Sequence, residues 1–190
     1  LKFYQINTQK HSIEITNLTC ASLNLNYINY TKCQLNKVNN KNNEQSIYIY
    51  GKLMVKSIND MTVLICTYIS QVNAKLLRKV NKNYRPFLYD DVIDFCDFQK
   101  NSKRNIFWNL VFNTMSKYSN LNHTCPYKHD FIIDNLVFSG KHFKMLPFPK
   151  GNYLVEMIII TQDIKIGRVD GYFSMKILMC SFQLTCEYFE

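Results

Sequence analysis

Along most of this chain apolar and polar residues alternate with a period of two, the mark of half-buried strands. Ile47, Ile49, Gly51, Leu53 and Val55 share one face of a predicted strand over 47–55. Residues 12–23 alternate in part, through Ile13, Ile15 and Leu18, and residues 62–69 are β-rich and almost wholly apolar. Strands over 131–138, 153–161 and 169–178 complete the predicted set. Asn39-Asn40, Asn42-Asn43, Asn59-Asp60 and the run from Pro147 to Gly151 supply turns between them. One segment has a different period. Ile106, Phe107, Leu110, Val111, Thr114 and Tyr118 follow helical spacing, widened by Trp108, Phe112 and Met115. Asn101 or Ser102 can cap this helix, which is predicted over about 102–118.

Short strands at regular spacing around a single helix predict a mainly β fold, an antiparallel β-sandwich with one inserted helix. No internal repeat, linker or low-complexity stretch divides the chain, so it is read as a single domain.

Composition narrows the partners. The formal charge is +9, but the Lys and Arg are scattered; the densest groups lie at Lys75 to Lys79 and Lys100 to Arg104. No RNA-binding or zinc-finger pattern accompanies them, so no nucleic-acid partner is expected. No apolar run reaches the roughly 18 residues that span a bilayer, so the chain is not read as membrane-spanning. There are 7 cysteines and no C-x-x-C. Wide spacing suits disulfides in an oxidising compartment, and the odd count leaves at least one thiol unpaired within the chain. Sequons at Asn17, Asn29 and Asn122 are candidate glycosylation sites, in a chain so rich in Asn that they carry little weight alone.

Four patterns raise chemistry. His123, Cys125 and His129 lie within seven positions, but a zinc site wants a fourth ligand and a second cluster; no metal and no cofactor are expected. A Cys/His catalytic pair needs an activated thiolate beside an oxyanion hole, whereas Cys125 follows the helix and precedes Pro126. Asp90, Asp91, Asp94 and Asp97 lack calcium-loop spacing and read as a polar strand edge leading into a helix N-terminus. The aromatic residues are harder to set aside. Phe107, Trp108 and Phe112 on the helix, with Phe148 and Tyr153, are candidates to line the mouth of an apolar cavity between splayed sheets. The alternative is an ordinary filled core.

Several motifs occur in a particular order: N-L-T-C at 17–20, Y-T-K-C-Q-L at 30–35, Asn83 to Tyr89 with D-F-C-D-F at 94–98, N-H-T-C-P-Y at 122–127 and L-P-F-P-K-G-N-Y at 146–153. In that order they resemble the insect family of secreted proteins called domain of unknown function 1091. That family is similar to the MD-2-related lipid-recognition domains, including the ganglioside activator, and to the CheB proteins of chemosensation. The resemblance covers roughly residues 12–178, flanked by 1–11 and 179–190, and implies a single immunoglobulin-like sandwich domain behind a cleaved leader that this chain lacks. It implies a Cys96–Cys125 disulfide beside the helix and a Cys20–Cys33 disulfide across the first two strands. Cys66, Cys180 and Cys186 find no place in it, and 54–71 reads as longer than the family pattern.

The function these readings imply is a secreted, non-enzymatic binding protein for a lipid or other apolar small molecule, with presentation to a membrane receptor as its chemosensory form. The alternative is an extracellular protein-interaction module with a filled core. A cofactor-free hydrolase is a third class, without a nucleophile motif to support it.

Overall fold

The computed structural model describes residues 8–39, 44–54, 71–125, 127, 129–137, 148–180 and 186–188. Two antiparallel sheets face each other. The large sheet has the order β1-β8-β7-β4-β5, where β1 is Thr8–Ser22, β4 Gln71–Val80, β5 Asn83–Asp94, β7 Gly151–Thr161 and β8 Ile164–Cys180; the short β9, Cys186–Tyr188, pairs with the end of β8. The small sheet has the order β2-β3-β6, formed by Ile28–Asn39, Glu44–Leu53 and Phe131–Val137. The helical insertion between β5 and β6 contains α1, Phe95–Lys100, and α2, Ile106–Met115. The protein is thus a mainly β, antiparallel sandwich with an inserted helical segment.

Alternation decides which residues face inward. In β4, Val72, Ala74 and Leu76 are buried and their neighbours less so. In β3, Ile47 and Ile49 point the same way. β1 explains its own imperfect pattern. A register shift between Ile15 and Asn17 inserts one extra residue against β8, so Ile13 and Ile15 before it and Leu18 and Cys20 after it share the inner face. β7 and β8 are joined through Gln162 and Asp163, both at positive φ (47° and 62°), as a twisted two-residue hairpin requires.

The structure corrects the helix. Asn101 makes no side-chain cap; α2 begins at Ile106, where the Asn105 side chain accepts from the Trp108 amide at 3.1 Å. Short 3-10 turns flank it at Ser102–Arg104 and Ser116–Tyr118. The buried positions of α2 are Trp108, Thr114 and Met115, whereas Ile106 is 72% exposed. A separate α1 is capped by Asp94, which accepts from the Asp97 amide at 2.8 Å. Strands β2, β4, β5 and β9 were absent from the set that alternation predicted. β5 carries Pro86 and three aspartates; it is an edge strand leading into α1, where a missing donor and charged side chains are tolerated, so the acidic run does lie on a polar strand edge. The strand predicted over 62–69 lies outside the described residues, as do Val55 and Cys66.

Among the described residues two disulfides form: Cys20–Cys33, with Cα atoms 6.0 Å apart, and Cys96–Cys125, at 5.8 Å. The first joins β1 to β2, and so ties the large sheet to the small one. The second ties α1 to the segment that leads into β6.

Candidate functional site: an apolar cavity between the sheets

The inner faces do not close completely. A cavity of about 100 Å³ lies between them. The large sheet contributes Ile13 and Ile15 of β1, Val155 of β7 and Phe173 of β8; the small sheet contributes Ile47 and Ile49 of β3 and Ile133 of β6. α2 closes one side with Phe107, Val111 and Met115. The lining is wholly apolar. It offers water no hydrogen-bond partner, whereas an apolar group entering it gives up hydration at no polar cost.

The floor has a specific cause. Gly171 sits in central strand β8, and a Cβ built there finds no atom within 4 Å. Its strand neighbours are Leu18 and Val155, both lining residues. A larger residue at 171 would occupy the cavity. Four residues earlier on the same face, Gly167 has the opposite surroundings: a Cβ there would meet the Tyr30 hydroxyl at 2.8 Å. Tyr30 lies over Gly51 on its own sheet and reaches Gly167 on the other, filling that end of the sandwich. Its hydroxyl is buried without a hydrogen-bond partner, and burial pushes its pKa well up.

The five aromatic residues picked out from the sequence part company. Phe107 and Phe148 line the cavity. Phe107 is stacked on Tyr89 with ring centroids 4.0 Å apart, and the Tyr89 hydroxyl is held by Asn105 and Asp91. Trp108 and Phe112 are not among the lining residues; they pack with Phe95 and Phe98 beneath α1, where Phe112 lies 5.6 Å from Phe95 and 5.8 Å from Phe98. Tyr153 is fully buried in a second cluster, stacked on Phe173 at 5.3 Å, and its hydroxyl donates to the Pro149 carbonyl at 2.7 Å. Burial pushes that phenol's pKa up, against a smaller lowering by Arg78. The aliphatic residues and Gly171 that form most of the cavity wall were not singled out. Alternation marked several of them as inward-facing, but no sequence signal distinguishes an inward residue with a neighbour from one beside a void.

Charged residues lie off the cavity. Arg168 joins Glu156 at 2.6 Å and Asp170 at 2.9 Å on the outer face of the large sheet. The acidic run is engaged in local structure: Asp90 with Lys75 at 3.2 Å, Asp94 as the α1 cap, Asp97 with Lys100 at 2.8 Å. Cys125 is committed to its disulfide, and no cluster of three or more metal-binding side chains forms among the described residues. Asn17 and Asn122 are exposed and Asn29 is half-buried. Among the described residues no helix is long and apolar enough to cross a membrane.

Residues 72–155 match the family model described as protein of unknown function, DUF1091. The match supports that family. It covers β4, β5, the helical insertion with its disulfide, β6 and the start of β7. Phe107, Ile133, Phe148 and Val155 of the cavity lie within it, and Gly171 lies beyond it. No curated protein matches the chain.

Proposed function

We propose that this is a secreted, non-enzymatic binding protein for a lipid or another apolar small molecule, held between the sheets. The wholly apolar cavity over Gly171 carries this reading. Two disulfides and the DUF1091 match are compatible with an extracellular domain. Burial of apolar ligand surface supplies the affinity, at about 25 cal/mol per Å² before the costs of association. The ligand has no hydrogen-bonding group inside the cavity, because nothing there would pair with it. A volume of about 100 Å³ takes a small apolar group or the end of a chain. A longer ligand requires α2 and the sheets to move apart. In its chemosensory form, the complex presents a pheromone-like lipid to a membrane receptor, as in the MD-2-related and insect proteins that the motifs resemble.

A second reading has an observation of its own. Pockets for drug-sized ligands usually measure about 300–1,000 Å³, and this cavity is smaller. An extracellular protein-interaction module with a nearly filled core fits that volume.

The two readings separate on secreted protein studied by native mass spectrometry and by titration with a fluorescent fatty acid, using wild type and Gly171→Val. Ligand binding predicts a co-purifying apolar adduct or micromolar probe binding, reduced at least about tenfold by the valine, a loss of about 1.4 kcal/mol. Folded wild type that carries no adduct and ignores the probe sinks the ligand reading and leaves the interaction module.

A further inference from the structure

Beyond the cavity, at one end of the large sheet, two arginines stand opposite each other. Arg78 of β4 is in register with Arg85 of β5 on one side and with the buried Tyr153 of β7 on the other, so all three share the inner face. Arg78 lies two positions, about 7 Å, along β4 from Leu76, which lines the cavity. Its guanidinium sits over the Phe87 ring, 5.7 Å from the centroid. Phe87 packs on Phe148 with centroids 6.4 Å apart, and Phe148 is part of the cavity wall. A continuous path of aromatic contacts thus leads from the guanidinium to the cavity.

Arg78 is held in place but not neutralised. Its Nη2 donates to the Lys150 carbonyl at 3.1 Å, the only hydrogen bond of this side chain among the described residues. A Cβ built on Gly151, at φ 152°, would lie 3.3 Å from Nε and 3.7 Å from Nη2. That position borders the Nε–Nη2 edge, and a guanidinium edge takes a carboxylate through two parallel hydrogen bonds. Glycine leaves the edge open. Lys75, Lys100, Arg168 and Lys176 each have a carboxylate partner. Among the described residues no carboxylate pairs with Arg78 or with the exposed Arg85. Like charges directly opposite on one sheet face repel, and the exposed Lys150 adds a third cation at this end. A bound anion relieves that repulsion.

We propose that the ligand is an acidic amphiphile, whose ionised carboxylate is held by Arg78 and Arg85 outside the cavity while its chain enters beside Phe148. This anion seat presupposes that the cavity holds an apolar chain, as proposed above, and supplies the head-group chemistry that the wholly apolar cavity lacks. Arg78 is the orienting member, fixed by the Lys150 carbonyl below one edge and by the Phe87 ring on its face. Arg85 faces it across the strand pair and contributes charge. An alcohol or an ester of the same chain keeps the apolar contacts but leaves both cations unneutralised, so it binds more weakly. The seat lies near solvent, so its contribution shrinks as salt is added.

The test is displacement of Nile red, a neutral probe, from intact protein by decanoate and by decanol at low salt and about pH 7.5, where decanoate is ionised. Wild type should take decanoate at least about tenfold tighter than decanol, and added salt should narrow that ratio. Arg78→Gln with Arg85→Gln should weaken decanoate and cut the ratio to below about threefold, with folding checked by thermal melting. Lys37→Gln with Lys165→Gln removes the same charge at exposed positions elsewhere and should keep the wild-type ratio. Decanol bound as tightly as decanoate by wild type, or a preference that survives the arginine double variant, would overturn the anion seat and leave the cavity reading standing. If the arginine variant fails to fold, the wild-type ratio and the lysine control still decide, because a ratio lost with the lysines reflects net charge alone and overturns the seat. Wild type that binds neither compound nor the probe would overturn both readings. Protein that ignores decanoate yet sediments with phosphatidylserine vesicles would overturn the seat as well, and make these cations a membrane contact.

Discussion

Gly167 and Gly171 sit four residues apart on the same face of β8, and they teach opposite lessons about the space between the sheets. A side chain at 167 would strike Tyr30; one at 171 would meet nothing within 4 Å. The difference comes from the facing sheet. β2 brings Tyr30 across Gly51 at one end and is fixed there by the Cys20–Cys33 disulfide. At the other end the opposing surface is Ile47, Ile49, Ile133 and the α2 side chains, which stop short of β8. Glycine is a seat for an aromatic ring in one place and the floor of a cavity in the other.

The sharpest way to break this contrast is to empty the filled end. Tyr30→Ala should cost about 3–5 kcal/mol, as large aromatic truncations in cores do, and should lower the midpoint in urea unfolding. Its hydroxyl has no partner, so Tyr30→Phe should cost nothing measurable. Releasing the clamp comes next. Cys20→Ser with Cys33→Ser opens a loop of sequence separation 13, for which the chain-entropy relation gives about 3 kcal/mol. The same melting curves should show a rather larger loss for the Cys96–Cys125 pair, whose separation is 29.

Overpacking the seat should cost less. Gly167→Val forces Tyr30 aside, an expected loss of about 1–3 kcal/mol. Gly171→Val should have the opposite sign, adding up to about 1 kcal/mol by filling space and suiting strand geometry, while it removes apolar-ligand binding. A Gly171→Val protein as destabilised as Gly167→Val would erase the contrast. The smallest effect lies away from both glycines. The Tyr50 hydroxyl and the Leu53 amide hold the Asp130 carboxyl below its ordinary range. Its contribution is present above the unfolded value of about 4 and is lost as pH falls through the lower folded value. Asp130→Asn should therefore lower stability modestly in the neutral range, above about pH 4, and flatten the acid limb of the profile below it, where the two proteins converge.

Much of the sandwich was legible in the order of residues. The sequence pattern located β1, β3, β6, β7 and β8, and within β3 and part of β1 period-two alternation also marked the inner face, because a strand sends successive side chains to opposite sides. The shift in parity within β1 was visible as its broken alternation. β5 was legible only as a polar strand edge before a helix; its full extent was not, because Pro86 and its aspartates interrupt the alternation and only an edge position makes them tolerable. The start of α2 was misplaced because Asn101, Ser102 and Asn105 are all competent caps, and only tertiary packing of Trp108 selects the last.

By itself the sequence determined the class of fold, the cysteines available for pairing and the apolar character of the interior, since these rest on local periodicity and residue type. Tertiary structure alone decided where that interior is left open. The aromatic wealth that seemed to mark a cavity went mostly into packed clusters around Phe95 and Tyr153, and the opening formed over a glycine among aliphatic residues. Whether an inward position is filled depends on what a strand distant in sequence places opposite it. No periodicity within one strand carries that information.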